Sequence, residues 1–507
     1  MNSVPIVSKK QRYLITLCVM AATVMQVLDT TIVNVALPNM QGSFSAAPDQ
    51  ISWILTSYLI ASAIFMPLTG YFTDRLGRKK FLLMSILGFT IASVLCGLSL
   101  TLDQMVVFRL LQGIFGAALV PLSQAIMFDT YPIEERGKAM TIWGMGIMIG
   151  PILGPTLGGY LTEVLNWRWT FYINVPFGLL SFLLALQTVP DTEKKERKLD
   201  WPSLIGIATA IGMIQYILDR GNQEDWFESS SIKIATLLAI GGFVSYVFLS
   251  FFRKNTKPVF DVRLFQDRNF VTSSIMMTAM GLGMFGSMVL QPLMLQNLFD
   301  YPTFTTGLVI APRGVSSMLG MMIAGKFASR IHPRTFITLG IFLNIIATYI
   351  GTFYNLSLSP AWIVGPCFIQ GLGLGFVMMP LSSLALSTLP RPLIPEGAGL
   401  FSLMRTFGFS IGISAVLTVF ARHTQIAWNQ IGGFLQPFNP AVIAYLQPLH
   451  LKPTDAEAAA LFAMEVGRQA QMVAIVDVYM VITWSFILML PLAYLLKDKR
   501  KELLTNN

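Results

Sequence analysis

Charge is what this chain has least of. Only 12% of its 507 residues are Asp, Glu, Lys or Arg, about half the share of an ordinary soluble domain. With 54% hydrophobic residues and a mean hydropathy of +0.63, a water-soluble globule is excluded, because no fold of this size hides that much apolar surface. Histidine and cysteine are nearly absent, three of each. His332, His423 and His450 are scattered, and Cys18, Cys96 and Cys367 all fall inside apolar runs. Neither a metal-ligand spacing nor a disulfide framework follows. The apolar runs hold no HExxH, no paired acids and no Ser–His arrangement, so an enzyme is not expected. One phosphate-loop lookalike, GMMIAGKF at 320–327, misses the motif at one residue, Phe327, which replaces the hydroxyl that would hold magnesium, and it lies inside an apolar run. Without a nucleotide site, the expected energy source is an ion gradient and no cofactor.

What the chain has is long apolar runs. A spanning helix needs about 20 mostly apolar residues, and fourteen stretches qualify: 13–37, 51–73, 81–101, 104–128, 138–161, 168–189, 202–219, 232–252, 270–297, 306–329, 335–354, 361–386, 397–421 and 475–496. The expectation is an all-α polytopic membrane protein. Lys9, Lys10 and Arg12 precede the first run, which is too long for a signal-peptide core and lacks a small-residue cleavage site. With the N-terminus in the cytoplasm and the spans alternating, cytoplasmic segments hold 26 of the 35 Lys and Arg, outer segments hold six, and Arg109, Arg313 and Arg405 lie within spans. That bias fits the positive-inside rule and puts both termini in the cytoplasm. The basic clusters include Arg75-Arg78-Lys79-Lys80, Lys194-Lys195-Arg197-Lys198, Arg253-Lys254-Lys257 and Lys497-Lys499-Arg500-Lys501.

The chain repeats itself weakly. GYFTDRLGRK at 70–79 matches GKFASRIHPR at 325–334, pairing Gly70 with Gly325, Phe72 with Phe327 and Arg75 with Arg330. Repeated halves are a common way to build a secondary transporter. The expected halves are 1–190 and 263–507, each of six spans, with a charged linker and two extra spans at 191–262. An outer segment at 422–475 is much longer than its peers. In it Thr454 and Glu457 have capping-box spacing, and a helix is expected from about Asp455 straight into the last span. That segment is either a solvated loop or a docking surface for an extracytoplasmic partner.

Four motifs carry the chemistry. LDTTIVNVALP, 28–38, places Asp29 within an apolar run of about 24 residues. A charge at bilayer depth costs roughly 2.5–3.5 kcal/mol on insertion scales. Asp29 either pairs with Arg109 to hold two helices together or takes up and releases a proton. Thr30 and Asn34 are expected to line its surroundings. RLLQGIFGAALVP, 109–121, supplies Arg109, which stays charged and needs an acceptor, and Gln112 nearby. GMGIMIGPILGPTLGG, 144–159, packs Gly150, Gly154, Gly158 and Gly159 into one span with Pro151 and Pro155. It reads as tight helix packing and as a bendable contact between the two halves. GYFTDRLGRKK, 70–80, reads as a cytoplasmic gate. In it Gly70 permits a close crossing by the other half, Gly77 sits at the turn, Asp74 faces a helix N-terminus, and Arg75 or Arg78 bridges to Asp129. Met284, Phe285, Met288, Met378 and Met379 offer adaptable apolar surface for cargo.

In this order the motifs resemble the major facilitator superfamily over nearly the whole chain. Together with WRWTFYINVPFG at 167–178 and APRG at 311–314 they are similar to its fourteen-helix drug/proton antiporters of the EmrB/QacA type, and the long outer segment to the EmrB branch. The resemblance implies proton-coupled multidrug efflux of amphipathic compounds across the inner membrane by alternating access, and hence antibiotic resistance. Asp29 would be the coupling acid and Arg109 its partner. Gly150, Pro151, Gly154 and Pro155 would form the antiporter motif; Asp74, Arg75 and Arg78 would belong to the gate. The EmrB branch further implies a periplasmic adaptor and an outer-membrane channel, whereas the QacA-like branch works alone. Export of one dedicated metabolite, siderophore or lipid, and a transporter-like sensor or scaffold, are the other readings of the same residues.

Overall fold

The computed structural model describes residues 8–132, 135–192, 194, 200–252, 261, 263–328, 330–359 and 361–496. Lys195, Arg197, Lys198, Arg253, Lys254, Lys257 and the basic C-terminal cluster lie outside them. Among the described residues fourteen helices are long and apolar enough to cross a membrane, counting as one the helix that bends by 43° between Gly154 and Thr156. They are α1 Lys9–Phe44, α2 Trp53–Leu76, α3 Arg78–Leu98, α4 Leu102–Thr130, α5 Arg136–Val164, α6 Trp169–Thr188, α7 Trp201–Arg220, α8 Ser230–Phe252, α9 Arg268–Asn297, α10 Thr303–Phe327, α11 Pro333–Gly351, α12 Ala361–Ser387, α13 Ile394–Gly432 and α14 Ala456–Ala493.

Local chemistry sets the helix ends. Ser8 caps α1, Thr101 caps α4 and Asp267 caps α9, each accepting from the backbone N–H three residues on. α2 and α3 are joined by Gly77 alone, at φ +84°, a conformation that costs a side-chain-bearing residue dearly. The exterior is apolar. Leu179, Leu237, Phe243 and Leu488 are each more than half exposed, which suits lipid rather than water.

One predicted boundary moves, at the far end of 397–421, and the long last helix expected from about Asp455 is found. The spans expected at 397–421 and 475–496 belong to helices of 39 and 38 residues. At 1.5 Å per residue these run roughly 57 Å, well beyond a hydrocarbon core of about 30 Å. Most of the outer segment is therefore a continuation of α13 and α14. Its tip is a short helix, Pro440–Leu446, on a small core of Val442, Leu446 and Ala458. α14 does start next to Asp455, yet the capping box does not form. Asp455 is itself the N-cap, and its carboxylate accepts from Lys452 N–H at 2.7 Å.

Helices α1–α6 pack as one body and α9–α14 as another, and the two meet along α5–α10 and α2–α13. The sequence repeat maps onto these two crossings, both at the end of the bundle that bears the chain termini. A Cβ on Gly70, at the end of α2, would lie 2.6 Å from Glu396 Cβ and 2.8 Å from its Cα in the first turn of α13. A Cβ on Gly325, at the end of α10, would run into Thr141 Oγ1 near the start of α5. Each glycine lets one half lie directly on the backbone of the other.

The extra pair is not placed symmetrically. α8 packs against α7 where Gly206 and Gly242 let the backbones touch; a Cβ on Gly242 would sit 2.6 Å from the Gly206 carbonyl oxygen. α7 then bridges the halves. On one side Thr56 of α2 donates to Asp219, and the Arg220 guanidinium lies 4.6 Å above the Trp53 ring. On the other, Gln215 Nε2 donates to Ser410 Oγ of α13 at 2.7 Å.

Candidate functional site

Five helices converge on Asp29. It lies near the middle of α1 and has no solvent exposure. One carboxylate oxygen accepts from Arg109 Nη1 of α4 at 2.6 Å. The other accepts from Gln112 Nε2 of α4 and Asn174 Nδ2 of α6, each at 2.8 Å. Arg109 is equally buried. Its Nε donates to the Ile54 carbonyl of α2 at 3.0 Å and its Nη1 also to Gln112 Oε1 at 2.7 Å. The guanidinium lies 4.4 Å from the Tyr58 ring centroid and 5.7 Å from that of Phe171. A second ring of partners fixes these. Asn174 Nδ2 reaches Ser93 Oγ of α3 at 2.9 Å, and Gln26 Nε2 donates to Tyr58 OH at 3.2 Å.

Chemically this is a buried ion pair with its polar demand nearly met. Such a pair is costly to form and more costly to break from one side. One donor is spare: Arg109 Nη2 has no partner. The cluster can hold a negative charge at Asp29 without water, and loss of that charge frees Arg109 to reorient.

The sequence motifs land in several places. Asp29, Arg109 and Gln112 meet. Thr30 and Asn34 do not join them. Thr30 Oγ1 donates to the Val27 carbonyl at 2.8 Å, and the exposed Asn34 bonds back to Thr30 O. The helical turn that carries Asp29 inward carries residues one and five positions on around to other faces. Asn174 is the functional contact that spacing could not find, since it comes from α6, 145 positions away. Its one signal was a polar amide inside the quoted run WRWTFYINVPFG.

The glycine-rich span makes both of the contacts its sequence suggests, on two different faces. Gly146, Gly150, Gly154 and Gly158 face α1 of the same half. A Cβ on Gly150 would lie 2.7 Å from the Val27 carbonyl oxygen, and Thr31 Oγ1 donates to Gly150 O at 3.0 Å. The stripe thus grips the turn of α1 that carries Asp29. The other half is met by another face of α5, through Gly137, Thr141, Gly144 and Ile152 against α10. Gly159 has nothing within 4 Å of a Cβ. Nothing is described of the Pro151 and Pro155 side chains.

Among the expected gate residues, Arg78 and Asp129 form an ion pair at 2.6 Å. Arg75 turns instead to the Tyr71 hydroxyl. The Arg78 pair ties α3 to α4 within one half, so it does not span the gate; the crossing between halves is the one at Gly70. Asp74 is half-buried beside it at the end of α2.

Met284 and Met288 line a cavity of about 160 Å³ between α5, α9, α10 and α12. Met378 and Met379 are buried, the latter with its methyl 3.4 Å from a Cβ on Gly137. The side chain of Phe285 is outside the described residues. A larger crevice of about 610 Å³ lies between α9, α13 and α14, lined by Phe270, Ile275, Leu282, Met404 and Leu488 with no charged group. Ile275 and Leu488 are exposed on the apolar exterior, and none of the residues that hold Asp29 lines this crevice.

The profile of the Major Facilitator Superfamily matches residues 19–413. The chain is 33% identical to the Multidrug export protein EmrB of Escherichia coli (strain K12), covering 96% of both. It is 32% identical to the Multidrug resistance protein B homolog of Mycobacterium tuberculosis (strain ATCC 25618 / H37Rv), over 81% of this chain and 76% of that one. Among solved structures, the human organic anion transporter MFSD10 aligns with a TM-score of 0.59 at 14% identity, covering 94% of this chain and 99% of that one, a likeness of fold alone. With that profile running from α1 into α13, and near full-length likeness to a multidrug exporter, the chain belongs to the major facilitator superfamily.

Proposed function

We propose that the chain exports amphipathic compounds by proton antiport, through alternating access of its two halves. The observation that carries this reading is the unexposed Asp29 carboxylate, held by Arg109, Gln112 and Asn174. A proton taken up from the outside removes the charge that holds Arg109, and its release to the cytoplasm restores the pair. Each elementary charge crossing 100 mV supplies about 2.3 kcal/mol. The energy source is the proton gradient, with no bound cofactor or metal. The likeness to multidrug export and resistance proteins supports cargo of more than one kind.

The distribution of Lys and Arg, 26 on one side against six on the other, supports a cytoplasmic membrane with the termini inside. In that orientation the crossings at Gly70 and Gly325 close the cytoplasmic side. The experiment is accumulation of a fluorescent amphipathic dye in everted vesicles under an imposed pH gradient. Uptake that collapses when the gradient is dissipated is expected; uptake indifferent to the gradient sinks the antiport reading.

The hairpin of α13 and α14 is assigned to a periplasmic adaptor that leads to an outer-membrane channel. Its tip carries Phe434 at 75% and Phe438 at 89% exposure, with Tyr445 also exposed. Aromatic side chains left in water are the usual anchors of a protein interface. A Phe434→Ser/Phe438→Ser variant should lose co-purification with an adaptor while keeping gradient-driven dye uptake in vesicles. Undiminished co-purification would remove the tip from the interface.

A further inference from the structure

Arg109 has its carboxylate; Arg313 does not. Arg313, in α10, is 7% exposed. Its Nη2 donates to Gln291 Oε1 of α9 and lies 3.9 Å from Cys367 Sγ of α12. Its Nε and Nη1 have no partner. Among the described residues no carboxylate is within ion-pair distance of it. Arginine keeps its charge in proteins, and a buried charge without a counter-ion costs several kcal/mol. This one is therefore waiting for an anion.

The same guanidinium lines the cavity of about 160 Å³ between the halves. The cavity walls are Met148 and Ile152 from the first half and Met284 and Met288 from the second. Thr306, on the same wall, holds a buried hydroxyl that also lacks a partner. So one cation and one hydroxyl, both unsatisfied, face into an apolar space whose methionines can repack around different shapes. Arg405 of α13 is another buried cation. It is 6% exposed, its Nη1 is unpartnered, and its guanidinium lies 5.8 Å from the Trp143 ring centroid. Among the described residues the one buried acid of the second half, Glu396, stands apart at the termini-bearing end, under Gly70.

We propose that Arg313 anchors the anionic head of the cargo, so that the exporter takes amphipaths bearing one carboxylate, with the apolar body laid along the Met148–Met284–Met288 wall. The inference rests on the export reading and names its substrate class. A carboxylate suits the site because a planar guanidinium pairs with it better than with a diffuse apolar or cationic group.

The test is equilibrium binding of labelled decanoate, decanol and decyltrimethylammonium to the full-length protein in nanodiscs, against empty nanodiscs. Wild type should bind decanoate at least about tenfold more tightly than the cation. Arg313→Gln should lose at least about tenfold for decanoate with little change for decanol, and Arg313→Lys should stay within about threefold of wild type. No preference for the anion in wild type, or decanoate affinity undiminished in Arg313→Gln, overturns the proposal. If Arg313→Gln is not recovered folded, the head-group series on wild type and Arg313→Lys decides alone: no preference for the anion, or a preference for the cation, overturns it. Binding is read without a gradient, so the outcome does not depend on whether antiport itself is demonstrated.

Discussion

Asp29→Asn is expected to abolish dye accumulation driven by a pH gradient. The asparagine is the same size and can still bond to Gln112 and Asn174, which lie 2.8 Å from the native carboxylate. It cannot take up a proton, and it strands the Arg109 charge, which at 0% exposure has no water to turn to. Breaking a buried pair from one side costs about 3–5 kcal/mol, so the variant should also melt at a lower temperature. Stability and coupling are separated by the double variant Asp29→Asn/Arg109→Gln. It removes both charges and should recover much of the lost stability while remaining inactive. Asn174→Leu offers a graded comparison: it takes one donor from a charged acceptor, worth about 1.5–3 kcal/mol, and should weaken transport without ending it. Wild-type accumulation by Asp29→Asn would take the carboxylate out of the mechanism.

Gly150→Ala should be nearly as damaging, although it adds a single methyl group. That methyl would come within 2.8 Å of the Val27 carbonyl carbon and 2.7 Å of its oxygen. Backbone cannot step aside as a flexible side chain can. Overpacking of this kind costs about 1–3 kcal/mol, and here the displaced segment is the turn that holds Asp29 toward Arg109. The loss should appear both as a lower melting temperature and as reduced gradient-driven uptake. Gly159→Ala is the matched control, in the same helix and the same motif, with open space around the added carbon. It should be neutral or slightly stabilising, since alanine is the better helix former. If the two variants behave alike, the stripe does not work by gripping α1.

Several features were legible before any coordinates because they depend on short stretches of chain. Fourteen apolar runs became fourteen long helices, since an apolar run in lipid must satisfy its own backbone. The unusual acid at 29 and the cation at 109 stood out against their surroundings. The match between Gly70 and Gly325 was visible as a repeat. Less was legible wherever length or direction mattered. The far end of α13 was not legible because a helix that leaves the membrane continues through polar sequence, here RHTQIAWNQ, which hydropathy does not score as helix, whereas the start of α14 at Asp455 was. The capping box expected at Thr454 does not form, because spacing alone does not show which residue turns out of the helix; Asp455 is the N-cap.

The deeper divide is between having a polar group and knowing its partner. Composition and hydropathy were enough to establish a helical membrane protein with one charged pair to explain, because those properties are carried by each segment alone. Which groups satisfy that pair was decided by packing. Asn174 joins the carboxylate from 145 positions away, the glycine stripe of α5 turns to α1 while another face of the same span meets α10, and Arg313 is left without an acid. A buried charge is compensated by whatever neighbouring helices present to it, and the facing of one helix toward another is a property of the assembled bundle.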